Sequence, residues 1–204
     1  MPTAVATAKG VATRETIVAQ AHAMAARGGL ESLSIGELAT AVGMSKSGVF
    51  AHFGSREDLL RTVLDTASER FFEHVMRPAF AQPRGLARLH ALVDNWFVWL
   101  GENPNGCVVL GACIEYDGQP GPMRDHVVAW MTRWLDALER AVGLAVTSGE
   151  LRADTDTRQL AFELISMMHG THQTRALYRP ADAMAMGRRA LLDLLDARRA
   201  PSSS

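Results

Sequence analysis

Ser34-Ile-Gly-Glu-Leu-Ala-Thr-Ala-Val-Gly-Met-Ser-Lys-Ser-Gly-Val-Phe-Ala-His-Phe53 is the stretch on which the reading of the fold turns. Ser34 has the hydroxyl of a helix N-cap. Glu37 stands three residues on to complete a capping box, and Leu33 and Leu38 bracket the cap as a hydrophobic staple. Ile35, Leu38, Ala39 and Val42 then recur at helical spacing. Gly43 supplies the left-handed residue that stops the helix. Ser45 caps a second helix at once, with Met44 and Val49 in the staple positions, and this helix runs through Phe50 to about His52. Two capped helices joined by a short glycine-containing turn form the helix-turn-helix pattern, in which the second helix is thin enough for the DNA major groove. The alternative for the same stretch is a helical hairpin that merely packs.

Working outward, a first helix from near Thr13 carries Ile17, Ala21, Met24 and Ala25 on one face, and Gly28-Gly29 ends it. Residues 1–12 are small and polar, either a DNA-contacting arm or a frayed terminus. Ser55 caps a fourth helix with Glu57 and Asp58 in its first turn, where the helix dipole favours acids. Its apolar positions run from Leu59 to Val75, and Pro78 is expected to stop it. At ~1.5 Å per residue this is a rod of roughly 33 Å. Further helices are expected over about 84–102, 107–116, 123–148, 156–178 and 182–198, separated by Gly- and Pro-rich breaks. The chain is therefore expected to be all-α with about nine helices. A helix-turn-helix domain spans 1–55, with residues 1–12 a flexible arm. A helical domain spans 56–204, with 56–77 a linking helix and 199–204 a tail.

Composition narrows the function. Of 204 residues 48% are hydrophobic, which is enough for a sizeable core. The net charge of −1 does not advertise a nucleic-acid partner. Over residues 1–60 Lys9, Arg14, Arg27, Lys46 and Arg56 are cancelled by Glu15, Glu31, Glu37, Glu57 and Asp58, so any DNA contact rests on where the charges sit. No run approaches the ~18 apolar residues of a membrane span, so no membrane partner is expected. The start lacks a signal-peptide core, and Cys107 and Cys113 give no disulfide framework. A cytoplasmic location is the simplest expectation.

The longer stretch Gly29-Leu-Glu-Ser-Leu-Ser-Ile-Gly-Glu-Leu-Ala-Thr-Ala-Val-Gly-Met-Ser-Lys-Ser-Gly-Val-Phe-Ala-His-Phe-Gly-Ser-Arg-Glu-Asp-Leu-Leu60 resembles the signature of TetR-like (tetracycline-repressor) transcriptional regulators. The resemblance covers about 50 residues, from the first helix into the fourth. It implies a DNA-binding surface formed by Ser34, Ser45, Lys46, Ser47, Gly48, Phe50, His52 and Arg56. Ser45, Lys46, Ser47 and Gly48 open the recognition helix, with Gly48 letting DNA approach closely. His52 and Arg56 stand at phosphate-contacting positions. Phe50 replaces the common Tyr and so lacks a hydroxyl for phosphate.

In the second domain the helix near 156–178 is apolar almost all round, so it must be buried on more than one side. One arrangement places an effector cavity on one face and a second subunit on the other, with helices near 156–178 and 182–198 forming a homodimer interface. The family resemblance implies the same pairing, and a thick monomeric core is the alternative. Candidate effector-lining residues are Trp96, Trp99, Leu100, Cys113, Trp130, Met131, Trp134, Met167, Met168, His169 and His172, a set suited to an apolar or aromatic small molecule. Each is individually compatible with plain core packing. His169 and His172 are either polar pocket groups or ordinary packing. As metal ligands they would need Glu115 or Asp117, and no metal or cofactor is expected. Cys107, at a helix start, has a redox-sensing alternative.

These readings converge on a ligand-responsive repressor that binds a palindromic operator as a dimer and is released by a small effector. No phosphate loop, nucleophile elbow or strong metal spacing supports an enzyme, and no catalytic residue is expected. A DNA-binding regulator that answers to a protein partner, or only to its own concentration, is the other alternative.

Overall fold

A computed structural model describes residues 8–201. These residues form α1 (Ala8–Gly28), α2 (Ile35–Ala41), α3 (Lys46–Phe53), α4 (Arg56–Phe71), a π-helical turn (Phe72–Met76), α5 (Arg77–Phe80), α6 (Leu86–Glu102), α7 (Val108–Tyr116), α8 (Pro122–Thr147), α9 (Thr157–Leu177) and α10 (Ala183–Asp196). Among the described residues there is no strand, only an isolated bridge between Leu151 and Arg199. The all-α expectation holds, and the helical assignment continues from α4 through the π turn into α5.

Packing divides the chain into two compact units. Among the described residues, one comprises 8–69 together with Asn105–Val128, and the other comprises Arg70–Pro104 together with 129–201. The sequence expectation set a boundary after residue 55. In the structure α4 up to Glu69 and the whole of α7 group with the first three helices.

The first unit is built on Ile17, Val18, Ala21 and Ala25 of α1, Leu38 and Ala39 of α2, Val49 and Phe53 of α3, and Leu59, Leu60, Val63 and Leu64 of α4, all buried. These are the helical-spacing positions of each segment, so the period of the sequence directly sets which face turns inward. Arg14 adds a cross-tie. Its guanidinium lies 4.9 Å from the Phe53 ring centroid and donates to the Thr62 hydroxyl at 3.2 Å.

The second unit has a single large core. Leu89, Leu92, Val93, Trp96 and Leu100 of α6 meet Trp134, Leu138 and Val142 of α8, Leu160, Leu164 and Met168 of α9, and Leu191 and Leu195 of α10. α6 is started from a distance. The Glu150 carboxylate accepts from Leu86 N–H at 2.9 Å, and Gly85 at φ 104° leaves the space that carboxylate occupies.

Three boundaries differ from the sequence expectation. α1 starts at Ala8, because the Thr13 hydroxyl back-bonds to the Lys9 carbonyl at 2.9 Å instead of capping. The arm expected over 1–12 thus gives residues 8–12 to a helix, and residues 1–7 lie outside the described residues. Pro78 does not stop the fourth rod. The π turn shifts the ladder so that Arg77 N–H bonds to Phe72 O, and Pro78 then sits in the first turn of α5, where its missing N–H costs nothing. At the far end Arg152 N–H bonds to Arg198 O and Ala200 N–H to Glu150 O, so the tail is fastened through residue 200. Residues 202–204 lie outside the described residues.

Candidate functional site

The helix-turn-helix follows from its caps. Ser34 Oγ accepts from Glu37 N–H at 3.4 Å and Ser45 Oγ from Gly48 N–H at 3.0 Å. Between them Gly43 takes φ 68°, and Met44 N–H closes onto Ala39 O at 2.9 Å. α3 turns Val49 and Phe53 into the core, so its opposite face is left to solvent. Ser45, Lys46 and Ser47 are exposed, and Phe50 is 41% exposed. The stem of Lys46 crosses Gly36, where a Cβ would stand 3.0 Å from Cε. Lys46 joins Ser34, Gly36, Glu37, Thr40 and Ala41 around a shallow surface depression between α2 and α3. The Ser45 and Ser47 hydroxyls are 3.0 Å apart. A face of hydroxyls, one lysine and one aromatic ring is suited to phosphates and base edges.

The remaining predicted residues of this surface are placed differently. His52 is half-buried with its ring centroid 6.4 Å from that of Phe53. Gly48 is half-buried, and a side chain there would meet Met44 Cε and Ser45 Oγ at 3.2 Å, so it serves the turn as well as the approach. Arg56 is paired within the protein. Its guanidinium donates to the Glu31 carbonyl at 2.6 Å, the Glu31 carboxylate at 3.0 Å and the Leu33 carbonyl at 3.3 Å, which fixes the loop between α1 and α2.

That loop is also gripped by α7, whose role the sequence did not reveal. The Tyr116 hydroxyl donates to Glu31 Oε1, and Glu31 N–H donates to Glu115 Oε2 at 3.0 Å. Gly29, at φ 89°, makes room for the Glu115 carboxylate, since a Cβ there would fall 1.8 Å from its Oε1. The Glu31 carboxyl is held below the usual range first by the Tyr116 hydroxyl and then by Arg56, with burial opposing both. Burial first, and then the bond to Glu31, push the Tyr116 phenol up. In the same unit His126 Nε2 meets Asp65 Oδ1 at 2.6 Å, tying the start of α8 to α4.

Of the predicted effector-lining residues, Trp96, Trp99, Leu100, Trp134 and Met168 are buried in the core of the second unit, with Met131 and Met167 packed against it. Phe71 stands edge-on to both Trp99 and Trp134, at centroid distances of 5.9 and 5.1 Å. Trp130 is half-buried under Arg133, 4.5 Å from its ring centroid. His169 and His172 are half-buried, and burial holds both below the usual histidine range, with the Arg175 charge adding to the effect at His172. Trp99 Nε1, His169 Nε2 and His172 Nδ1 are buried without a hydrogen-bond partner among the described residues. Cys113 belongs to the other unit, and burial pushes its thiol up to about 12. Among the described residues no three His, Cys, Asp or Glu side chains gather as a metal site, and no helix is long and apolar enough to cross a membrane.

A capped helix-turn-helix with a solvent-facing second helix, carried on an otherwise helical chain, defines a DNA-binding transcriptional regulator rather than an enzyme. Residues 17–63 match the model for bacterial regulatory proteins of the tetR family, and residues 85–191 match the tetracyclin repressor-like C-terminal domain. The chain belongs to the tetR family of transcriptional regulators. Among solved structures it is similar to a TetR transcriptional regulator from Chloroflexus aurantiacus, at 26% identity and a TM-score of 0.86 over 95% of this chain and 98% of that one. A putative transcriptional regulator from Saccharomonospora viridis, in complex with choline, matches at 22% identity and 0.81 over 91% and 96%. AibR, in complex with isovaleryl coenzyme A and operator DNA, matches at 21% identity and 0.73 over 93% and 99%. No curated protein matches the chain.

Proposed function

We propose that this protein is a cytoplasmic, ligand-responsive repressor that binds a palindromic operator as a homodimer and is released by a small effector held in the second unit. The observation that carries the reading is the outward face of α3, where Ser45, Lys46, Ser47 and Phe50 are exposed while Val49 and Phe53 anchor the helix from behind. Two such helices related by a twofold axis reach successive major grooves ~34–36 Å apart. Ser34, Gly48 and His52 support that face, while Arg56 acts mainly by fixing the loop that positions α2. Dimerisation through α9 and α10 is supported by Phe162, Leu177 and Met186, which are 60%, 63% and 46% exposed on those helices.

The effector reading rests on the core around Trp96, Trp99, Trp134, Met131, Met167 and Met168. This lining suits an apolar or aromatic body. Buried nitrogens without partners on Trp99, His169 and His172 favour a molecule that also carries a hydrogen-bonding group. Both imidazoles are disposed to stay neutral, so that group need not be charged. Relatives of this fold solved with choline, or with isovaleryl coenzyme A and operator DNA, support a regulator that takes both DNA and small molecules. A selection from a random duplex library, followed by binding across a salt series, tests the reading. The expected result is a near-palindromic site with two half-sites and an affinity that falls steeply with salt. Failure to enrich any duplex refutes it.

A further inference from the structure

We infer that Phe50 is a specificity-determining residue that reads the C5 methyl group of a thymine in each operator half-site. The inference rests on the DNA-binding reading above and goes beyond it to name a base.

Phe50 is the large apolar residue on an otherwise polar face. On α3 it lies one turn from Lys46 and Ser47, so the three share one side of the helix. Lys46 and Ser47 are exposed, and Phe50 is 41% exposed. The inward anchors of the helix are its neighbours Val49, fully buried, and Phe53, 8% exposed, so the exposed part of Phe50 is not required for the core. A phenyl ring has no donor for phosphate and no acceptor for a base amino group. Its favourable contact in a major groove is with the apolar feature a base pair offers there, the thymine methyl. Lys46, one turn toward the helix start, supplies the charge that holds the helix against the backbone. The contact therefore discriminates T from C at the same pyrimidine position, where a cytosine presents an amino donor and no methyl.

The experiment uses the full chain and the duplex it selects from a random library. Each thymine of that duplex is replaced singly by deoxyuridine, which deletes the methyl and keeps the hydrogen-bonding edge. The expected result is one position per half-site at which the replacement weakens the wild-type protein roughly fourfold, and roughly fifteenfold when both half-sites are changed. With Phe50→Ala the same replacement has no further effect, and Phe50→Leu keeps part of it. Circular dichroism should show both variants folded as wild type. Equal sensitivity to deoxyuridine in wild type and Phe50→Ala, or no sensitive thymine in a duplex that is bound, overturns the inference while leaving DNA binding intact. Selection of no duplex at all overturns both.

Discussion

Replacing Tyr116 with Phe deletes one hydroxyl from the point where α7 grips the loop between α1 and α2. Tyr116 is 4% exposed, and its hydroxyl donates to a carboxylate that also holds Arg56. Hydrogen bonds to charged groups contribute about 1.5–3 kcal/mol net. The Glu31 side chain is 43% exposed, so water replaces the lost donor in part and the lower end applies, about 1.5 kcal/mol. For a chain of this size that lowers the thermal midpoint by about 3–6 °C. The pH dependence has a definite sign. Glu31 has a lowered folded-state value, so its contribution is fully present above the ordinary glutamate range and is lost as pH falls through that lowered value. The gap between wild type and Tyr116→Phe should therefore be widest at neutral pH and close on acidification. Melting followed by circular dichroism at several pH values measures it, and a Glu31→Gln, Tyr116→Phe double-mutant cycle isolates the pair. Equal midpoints at neutral pH, or strictly additive losses in the cycle, would refute the assignment.

Three further outcomes are expected. Gly187→Ala places a methyl 2.2 Å from Thr171 Oγ1 and 2.5 Å from its Cγ2, atoms of a buried β-branched side chain that cannot swing clear. Chemical denaturation should show a loss of about 1–3 kcal/mol, and an unchanged midpoint would mean α9 and α10 are not so closely packed. Lys46→Ala should weaken binding to the selected duplex across all sequences and lower the salt slope by about one per recognition helix; a changed base preference with the same slope would assign Lys46 to base reading instead. Native Cys113 should resist iodoacetamide at pH 8 and react only after denaturation, since its thiol is pushed up to about 12. Rapid native labelling at that position would show that burial does not hold the thiol up.

The parts of the molecule that were readable in advance are those fixed by neighbours in sequence. Ser34 and Ser45 bond to N–H groups three residues away, and Gly43 takes the left-handed conformation the turn requires. Helical period named most of the buried positions of α1, α2 and α4 for the same reason. The two helix ends that moved were also local, but depended on competition between options of similar energy. The Thr13 hydroxyl could cap or back-bond, and Pro78 could stop a helix or open the next one behind a π turn.

The grip of α7 was unreadable because its information is spread along the chain. Tyr116 and Glu115 reach Glu31 across separations of 85 and 84 residues. Neither residue has a spacing, period or cap to mark it. Arg56 shows the same limit from the other side. Its position matched a phosphate-contacting pattern, yet the Glu31 carboxylate and two backbone carbonyls converge on its guanidinium. Glu31 is thus the shared partner of an arginine from α4 and a tyrosine from α7, and an acid that looked in sequence like a neutralising surface charge instead sets the geometry of the loop leading into α2. If that is so, reversing it is instructive. Glu31→Lys would set a cation against Arg56 and leave Tyr116 without its acceptor, so it should impair the helix-turn-helix more than its net gain of positive charge helps DNA binding. Tighter operator binding by that variant would show that charge count, and not the placement of α2, governs the interface.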